Sequence, residues 1–163
     1  MRRILLFVCC AVLLCSCGKT TSSTKKVEGK DLSKMETAML GADPTLPEMV
    51  IVRGNEEDAE LNFTALSDLD YDRVADYFYA YAKDGSASEI AVIRMKDESD
   101  IAPMMDSINA HLKTRRGTMQ EYKPEQVDLI DKAVITYEGN DVALIVSEKN
   151  GLVQKEFKSE KTE

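Results

Sequence analysis

The stretch that most constrains this chain is Ala133-Val134-Ile135-Thr136-Tyr137, then Gly139-Asn140, then Val142-Ala143-Leu144-Ile145-Val146. A Gly-Asn pair between two apolar runs signals a two-residue β-hairpin, because the turns that match strand twist need positive φ at their centre. Side chains along a strand alternate between its two faces. Residues 142–146 are apolar at both parities, so this strand is expected to be covered on both faces and to lie near the centre of its sheet.

A second hairpin is expected upstream. Val74-Ala75-Asp76-Tyr77-Phe78-Tyr79-Ala80-Tyr81 and Ser88-Glu89-Ile90-Ala91-Val92-Ile93-Arg94-Met95 both suit strands, with Asp84-Gly85-Ser86 as the turn. Between the hairpins, Ile101, Met104, Met105, Ile108 and Leu112 recur at three- and four-residue spacing and share one helix face. Asp97, Ser99 and Asp100 suit the positive end of that helix, and Lys113, Arg115, Arg116 and then Gly117 suit its other end. Pro103 places the start of regular bonding near Ser99, or kinks the first turn. Lys123-Pro124-Glu125-Gln126-Val127-Asp128-Leu129-Ile130 reads as a shorter helix with proline in its first turn. The fold expected is α+β: an antiparallel sheet built from two β-hairpins, with one long and one or two short helices packed on it.

The flanks are less defined. Residues 31–41 read as a short helix capped at Asp31 or Ser33 and stopped at Gly41, and Pro44 and Pro47 then extend the chain. Leu46 and Met49-Val50-Ile51-Val52 suit either a strand or a buried loop, and Glu56-Glu57-Asp58-Ala59-Glu60 a solvated loop or helix start. From Glu148 onward the chain is charged, with Leu152, Val153 and Phe157 as its apolar anchors and a frayed end.

The beginning of the sequence has a different character. Met1-Arg2-Arg3 is basic, and Ile4 to Leu14 is an uncharged run of eleven residues. That is the pattern of a signal peptide, and the run falls short of the roughly 20 residues a membrane-spanning helix needs. It ends in Leu14-Cys15-Ser16-Cys17, which resembles a bacterial lipobox. Small residues at Cys15 and Ser16 suit a signal peptidase, and the thiol of Cys17 would take up a diacylglyceryl group as a thioether. Cleavage is therefore expected between Ser16 and Cys17. Cys9, Cys10 and Cys15 would leave with the signal, so no disulfide framework is available beyond Cys17. Loss of Arg2 and Arg3 would shift the net charge from −8 to about −10, which disfavours nucleic acid and anionic lipid as partners.

The expected organisation is a signal at 1–16, a lipidated cysteine and tether at 17–30, and a single extracytoplasmic α+β domain at 31–163. Residues 18–30 hold one apolar residue, Val27, and as a flexible coil would reach about 20 Å.

Few residues suggest chemistry. His111 is the sole histidine and reads as a surface or helix-end residue, since no motif nominates a partner for it. With no cysteine after Cys17, no zinc or other metal site is expected. Asp68, Asp70 and Asp72 alternate like calcium-loop ligands and Asp76 falls at the ninth position of such a loop, but Arg73 stands where the loop needs glycine and Tyr79 where it needs glutamate. A solvated turn before the Val74 strand is the better reading. Tyr77, Tyr79 and Tyr81 share one strand face. Such a row is more often a half-buried sheet face under a helix. If exposed, it is the best candidate binding face in the chain. No nucleophile elbow, phosphate loop or other catalytic signature is present, and no cofactor is expected.

Leu69-Asp70-Tyr71-Asp72-Arg73-Val74-Ala75-Asp76-Tyr77, Ser86-Ala87-Ser88-Glu89-Ile90-Ala91-Val92, Tyr122-Lys123-Pro124-Glu125-Gln126 and residues 139–147 occur in that order. Together they resemble a family of small lipoproteins from Gram-positive, clostridial-type anaerobes built on a domain of unknown function, over a core of about residues 66–147. The resemblance implies a cell-surface lipoprotein and transfers no activity or site. The functional expectation is a non-catalytic domain, attached to the membrane through lipid on Cys17, that binds or scaffolds an envelope protein or glycan. The alternative is a small carboxylate-dependent hydrolase acting on cell-wall material, which a concave pocket gathering acids around His111 would favour. A solute-binding subunit fits less well, because a single small domain lacks two closing lobes.

Overall fold

The computed structural model describes residues 29–159. Its core is one antiparallel sheet of five strands: β1 (Met49–Arg53), β2 (Val74–Ala82), β3 (Glu89–Met95), β4 (Val134–Glu138) and β5 (Asp141–Val146), in the spatial order β1-β2-β3-β5-β4. Both expected hairpins form. β2 meets β3 with Tyr79 opposite Ala91, and β4 meets β5 with Tyr137 opposite Val142. Gly85 and Gly139 take positive φ (70° and 54°) at the two turns, a region open to glycine at little cost. The hairpins join along β3 and β5, where Ala91 faces Leu144.

Every residue of β3 and β5 is buried, because the sheet is covered on both sides. On one side lie α2 (Ala59–Phe63), α3 (Ile101–Tyr122) and α4 (Val127–Asp131), packed on Tyr77, Tyr79, Ala91, Ile93 and Leu144. On the other lie α1 (Leu32–Gly41) and α5 (Asn150–Lys158), packed on Phe78, Ile90, Val92, Ala143 and Ile145. The two sets alternate along each strand, as pleating requires. Asp31 caps α1 by accepting from the backbone N–H groups of Ser33 (3.0 Å) and Lys34 (3.4 Å). Residues 49–53, open between strand and loop from sequence, form the edge strand β1.

Three elements depart from expectation. α3 does not stop near Gly117 but runs 22 residues to Tyr122. The glycine costs about 1 kcal/mol in a helix interior. That cost is offset beyond it, where Met119 is buried in the core, and just before it, where Arg116 binds Asp131 through Nε at 2.7 Å and Nη2 at 3.1 Å. The charged C-terminal stretch is also more ordered than its composition implies. Val153 and Phe157, four residues apart, share one face of α5, and both are fully buried against α1 and the sheet. The expected helix at 123–130 divides into a 3₁₀ turn, Pro124–Gln126, followed by α4.

Buried charges lock the α1/α5 side. Arg94 donates from Nε and Nη2 to the two oxygens of Asp141 at 2.7 and 2.8 Å, and Nη2 also donates to the Lys30 carbonyl at 2.7 Å. Lys30 in turn reaches Glu138 and the Phe157 carbonyl. Arg53 joins β1 to α1 through Glu36, with bonds of 2.7 and 2.8 Å. Gly29 lies flat on this clamp, for a Cβ there would fall 2.3 Å from the Arg94 guanidinium carbon.

Candidate functional site

Glu89 opens β3 with the parity of Ala91 and Ile93, so its side chain faces α3 rather than solvent. The carboxylate is wholly buried. Its Oε2 accepts from the Tyr79 hydroxyl at 2.7 Å and stands 3.0 Å from Nε2 of His111. Arg115, one helical turn beyond His111, brings Nε to 3.8 Å from Glu89 Oε1, too far for a hydrogen bond. Its Nη2 donates instead to the Ser86 carbonyl at 3.1 Å. Glu89 Oε1 and Arg115 Nε are thus buried atoms without a hydrogen-bond partner.

The Tyr79 ring stands perpendicular to that of His111, with centroids 6.3 Å apart. Burial pushes the Tyr79 phenol above its ordinary range, and the neighbouring Glu89 charge and hydrogen bond push it further. The phenol therefore stays a donor. A carboxylate accepts and cannot donate, so the proton facing Glu89 belongs to His111 Nε2. In the neutral ring this leaves Nδ1 as an acceptor.

His111 also lines an open cleft of about 220 Å³ between α3 and residues 64–68. Within it Ser107 donates to Asp68 Oδ1 at 2.7 Å, and the Ser67 and Ser107 hydroxyls are 2.8 Å apart. The cluster thus runs from the sheet to the surface: Tyr79 and Glu89 inside, His111 at the boundary, and the Ser107–Asp68 pair at the opening.

The residues singled out from sequence fare differently. Ser16, Cys17 and the tether up to residue 28 lie outside the described residues. The tyrosine row is not an exposed binding face. Tyr77 and Tyr79 are 1 % and 5 % exposed, and Tyr81 is partly buried beside Tyr79, with centroids 5.3 Å apart. The reason is α2 and α3, which cover that side of β2, and Tyr77 donates to the Ala59 carbonyl at 2.6 Å. Burial raises the Tyr77 phenol too. His111 is neither a surface nor a helix-end residue: the extension of α3 to Tyr122 makes it mid-helix, with a side chain only 10 % exposed.

The aspartates of the calcium-like stretch separate. Asp70 accepts from the Asp72 N–H and caps a 3₁₀ turn, Asp76 accepts from the Tyr77 N–H, and Asp68 joins the cleft. Among the described residues, no three His, Cys, Asp or Glu side chains gather as metal ligands would.

Sequence reasoning missed Glu89, Ser107 and Arg115. A signal existed for the first: Glu89, Ala91 and Ile93 alternate on one face of an apolar strand, which places an acid in line with the core. For Ser107 the signal was its four-residue spacing from His111 on the long helix.

A family model described as Domain of unknown function (DUF4358) matches residues 52–147. The matched stretch runs from within β1 to just past β5 and includes the whole Tyr79–Glu89–His111 cluster and the cleft. No curated protein and no solved structure matches the chain.

Proposed function

Since the chain belongs to the DUF4358 family of domains of unknown function, whose description names no activity, we propose that it is a lipid-anchored extracytoplasmic domain that binds or scaffolds an envelope component without catalysis. The observation that carries this reading is Leu14-Cys15-Ser16-Cys17 placed directly after a basic start and an eleven-residue apolar run. The fold is compatible with a pull applied at that end. The Lys30 carbonyl is held by Arg94 and the Lys30 ammonium by Glu138, so load would enter the sheet near its β4–β5 turn rather than peel off α1. The expected test result is that Cys17→Ala abolishes incorporation of labelled fatty acid and partitioning into the detergent phase. Unchanged labelling would remove the anchor from the proposal.

A second reading, a small hydrolase acting on wall material, draws on the buried Glu89–His111 pair beside a cleft. Carboxylate–histidine pairs of this kind orient a general base. Against it, the Ser67 and Ser107 hydroxyls are committed to each other and to Asp68, and among the described residues the hydrogen-bond partner of His111 is Glu89. Release of soluble fragments from purified cell wall by the wild-type protein, lost in His111→Ala, would favour this reading over the first.

A further inference from the structure

The cleft beside His111 has an unusual chemical bias, visible once its hydrogens are counted. The backbone N–H groups of residues 64–67 all donate to carbonyls of residues 61–63. Thr64 donates its hydroxyl hydrogen to the Leu61 carbonyl and Thr114 donates to the Ala110 carbonyl. Ser107 donates to Asp68 Oδ1, so in the Ser67–Ser107 contact Ser67 is the donor. The Asp68 N–H donates to the Ser107 oxygen. His111 spends its Nε2 hydrogen on Glu89. Among the described residues, no lysine or arginine lines the cleft.

What the cleft offers a ligand is therefore lone pairs: the remaining carboxylate capacity of Asp68, hydroxyl oxygens and, when the imidazole is neutral, Nδ1 of His111, whose side chain is nine-tenths buried and whose hydrogen bond among the described residues is made through Nε2. A ligand that fits must bring hydrogens and positive charge. An ammonium group has three donors and no acceptor. Anions are opposed by Asp68 and by the Glu89 carboxylate behind His111, which Arg115 approaches no closer than 3.8 Å. A neutral hydroxyl could also donate to Asp68, in a bond that the carboxylate charge strengthens, but it brings no positive charge of its own, whereas an ammonium adds the attraction of opposite charges to the hydrogen bond.

We propose that this cleft is a binding site for the primary ammonium group of a small organic amine or of a lysyl side chain, with Asp68 and His111 Nδ1 as its acceptors. This deepens the binding half of the function proposed above. It does not depend on lipidation, so its failure would leave the anchor standing.

The test is an NMR titration of the full chain in non-ionic detergent, following backbone amides and the His111 ring nitrogens. n-Butylammonium chloride is expected to give saturable shifts at His111, Ser107 and Asp68. Tetramethylammonium chloride, with the same charge and no N–H, and glucose, with neutral hydroxyls, are expected to give none. Asp68→Asn, at an exposed position where the fold is expected to persist, should weaken butylammonium at least about tenfold, the equivalent of about 1.4 kcal/mol. Tighter binding of Nα-acetyl-lysine methylamide than of butylammonium would identify a polypeptide as the source of the ammonium, and equal binding a free amine. Either supports the site. Equal shifts from tetramethylammonium or glucose, no saturable shift with butylammonium, or full affinity in Asp68→Asn would each overturn it.

Discussion

The two sides of the sheet are covered by different stretches of chain, and they treat buried charge in opposite ways. α2, α3 and α4 lie within the family-matched region and cover one side. α1 and α5 lie outside that region and cover the other. On the α1/α5 side the buried Arg94 and Asp141 charges are closed on each other. Arg94 and Asp141 face each other across β3 and β5 in a two-pronged pair, and its hydrogen bonds hold the Arg94 pKa above the ordinary value while the guanidinium also holds Lys30. On the α3 side Glu89 is buried with one oxygen doubly served and the other without a hydrogen bond, and its partner His111 reaches a cleft. A fully matched pair fixes structure. A carboxylate left partly unmatched, with a histidine between it and solvent, keeps a polar route through the core. That contrast makes the α3 side the place to look for a ligand and the α1/α5 side the place where the first and last described elements are fastened.

The largest effect is expected on the fastened side. Asp141→Ala leaves Arg94 buried without its partner, and breaking a buried pair by removing one member costs about 3–5 kcal/mol. Urea denaturation of Asp141→Ala against wild type should show a loss of that size, and the double change with Arg94→Met should recover much of it. A loss below about 1 kcal/mol in Asp141→Ala would mean that this side is not held by its charges, and the contrast would fail. On the α3 side a smaller loss is expected from Tyr79→Phe. That substitution removes one donor to the buried Glu89 and leaves His111 in place, for a cost of about 1.5–3 kcal/mol, the range for hydrogen bonds to charged groups. The same change should move the His111 ring resonances, because Tyr79 and His111 share Glu89 Oε2.

How much of this was readable beforehand follows from the range of the interactions. The two hairpins depend on local turn chemistry and the burial of residues 142–146 on their apolar patterning, and both appear in the structure, with that strand interior but one place from the edge and β3 at the centre. α3 runs past the end that its basic residues and Gly117 indicate, because the Arg116–Asp131 pair that helps hold the helix spans 15 residues and is invisible to a local window. α5 forms in a charged stretch with few apolar anchors, because two apolar residues four apart suffice where a sheet face is open to them. The site was the least legible part. Glu89, Tyr79 and His111 meet only once a hairpin has folded and a helix has crossed it, and the ten- and 22-residue separations among them match no local motif. Reading the tyrosines as one face was sound. Whether that face met water depended on helices elsewhere in the chain.

Those tyrosines also supply the smallest and sharpest comparison. Tyr77 and Tyr79 point to the same side of the same strand, both are buried, and each phenol donates one hydrogen bond of similar length. They differ in the acceptor, a backbone carbonyl of Ala59 for Tyr77 and the Glu89 carboxylate for Tyr79. Tyr77→Phe should therefore cost only about 1 kcal/mol, the net worth of a neutral hydrogen bond, and should leave the His111 resonances unmoved. Because Tyr→Phe removes the same atom from two buried rings on one strand face, the difference between the two losses reports chiefly on the charge of Glu89. If both variants unfold at the same urea concentration with equal slopes, Glu89 contributes nothing as a charge, and the α3 side has no more claim to a polar route than the side fastened by Arg94.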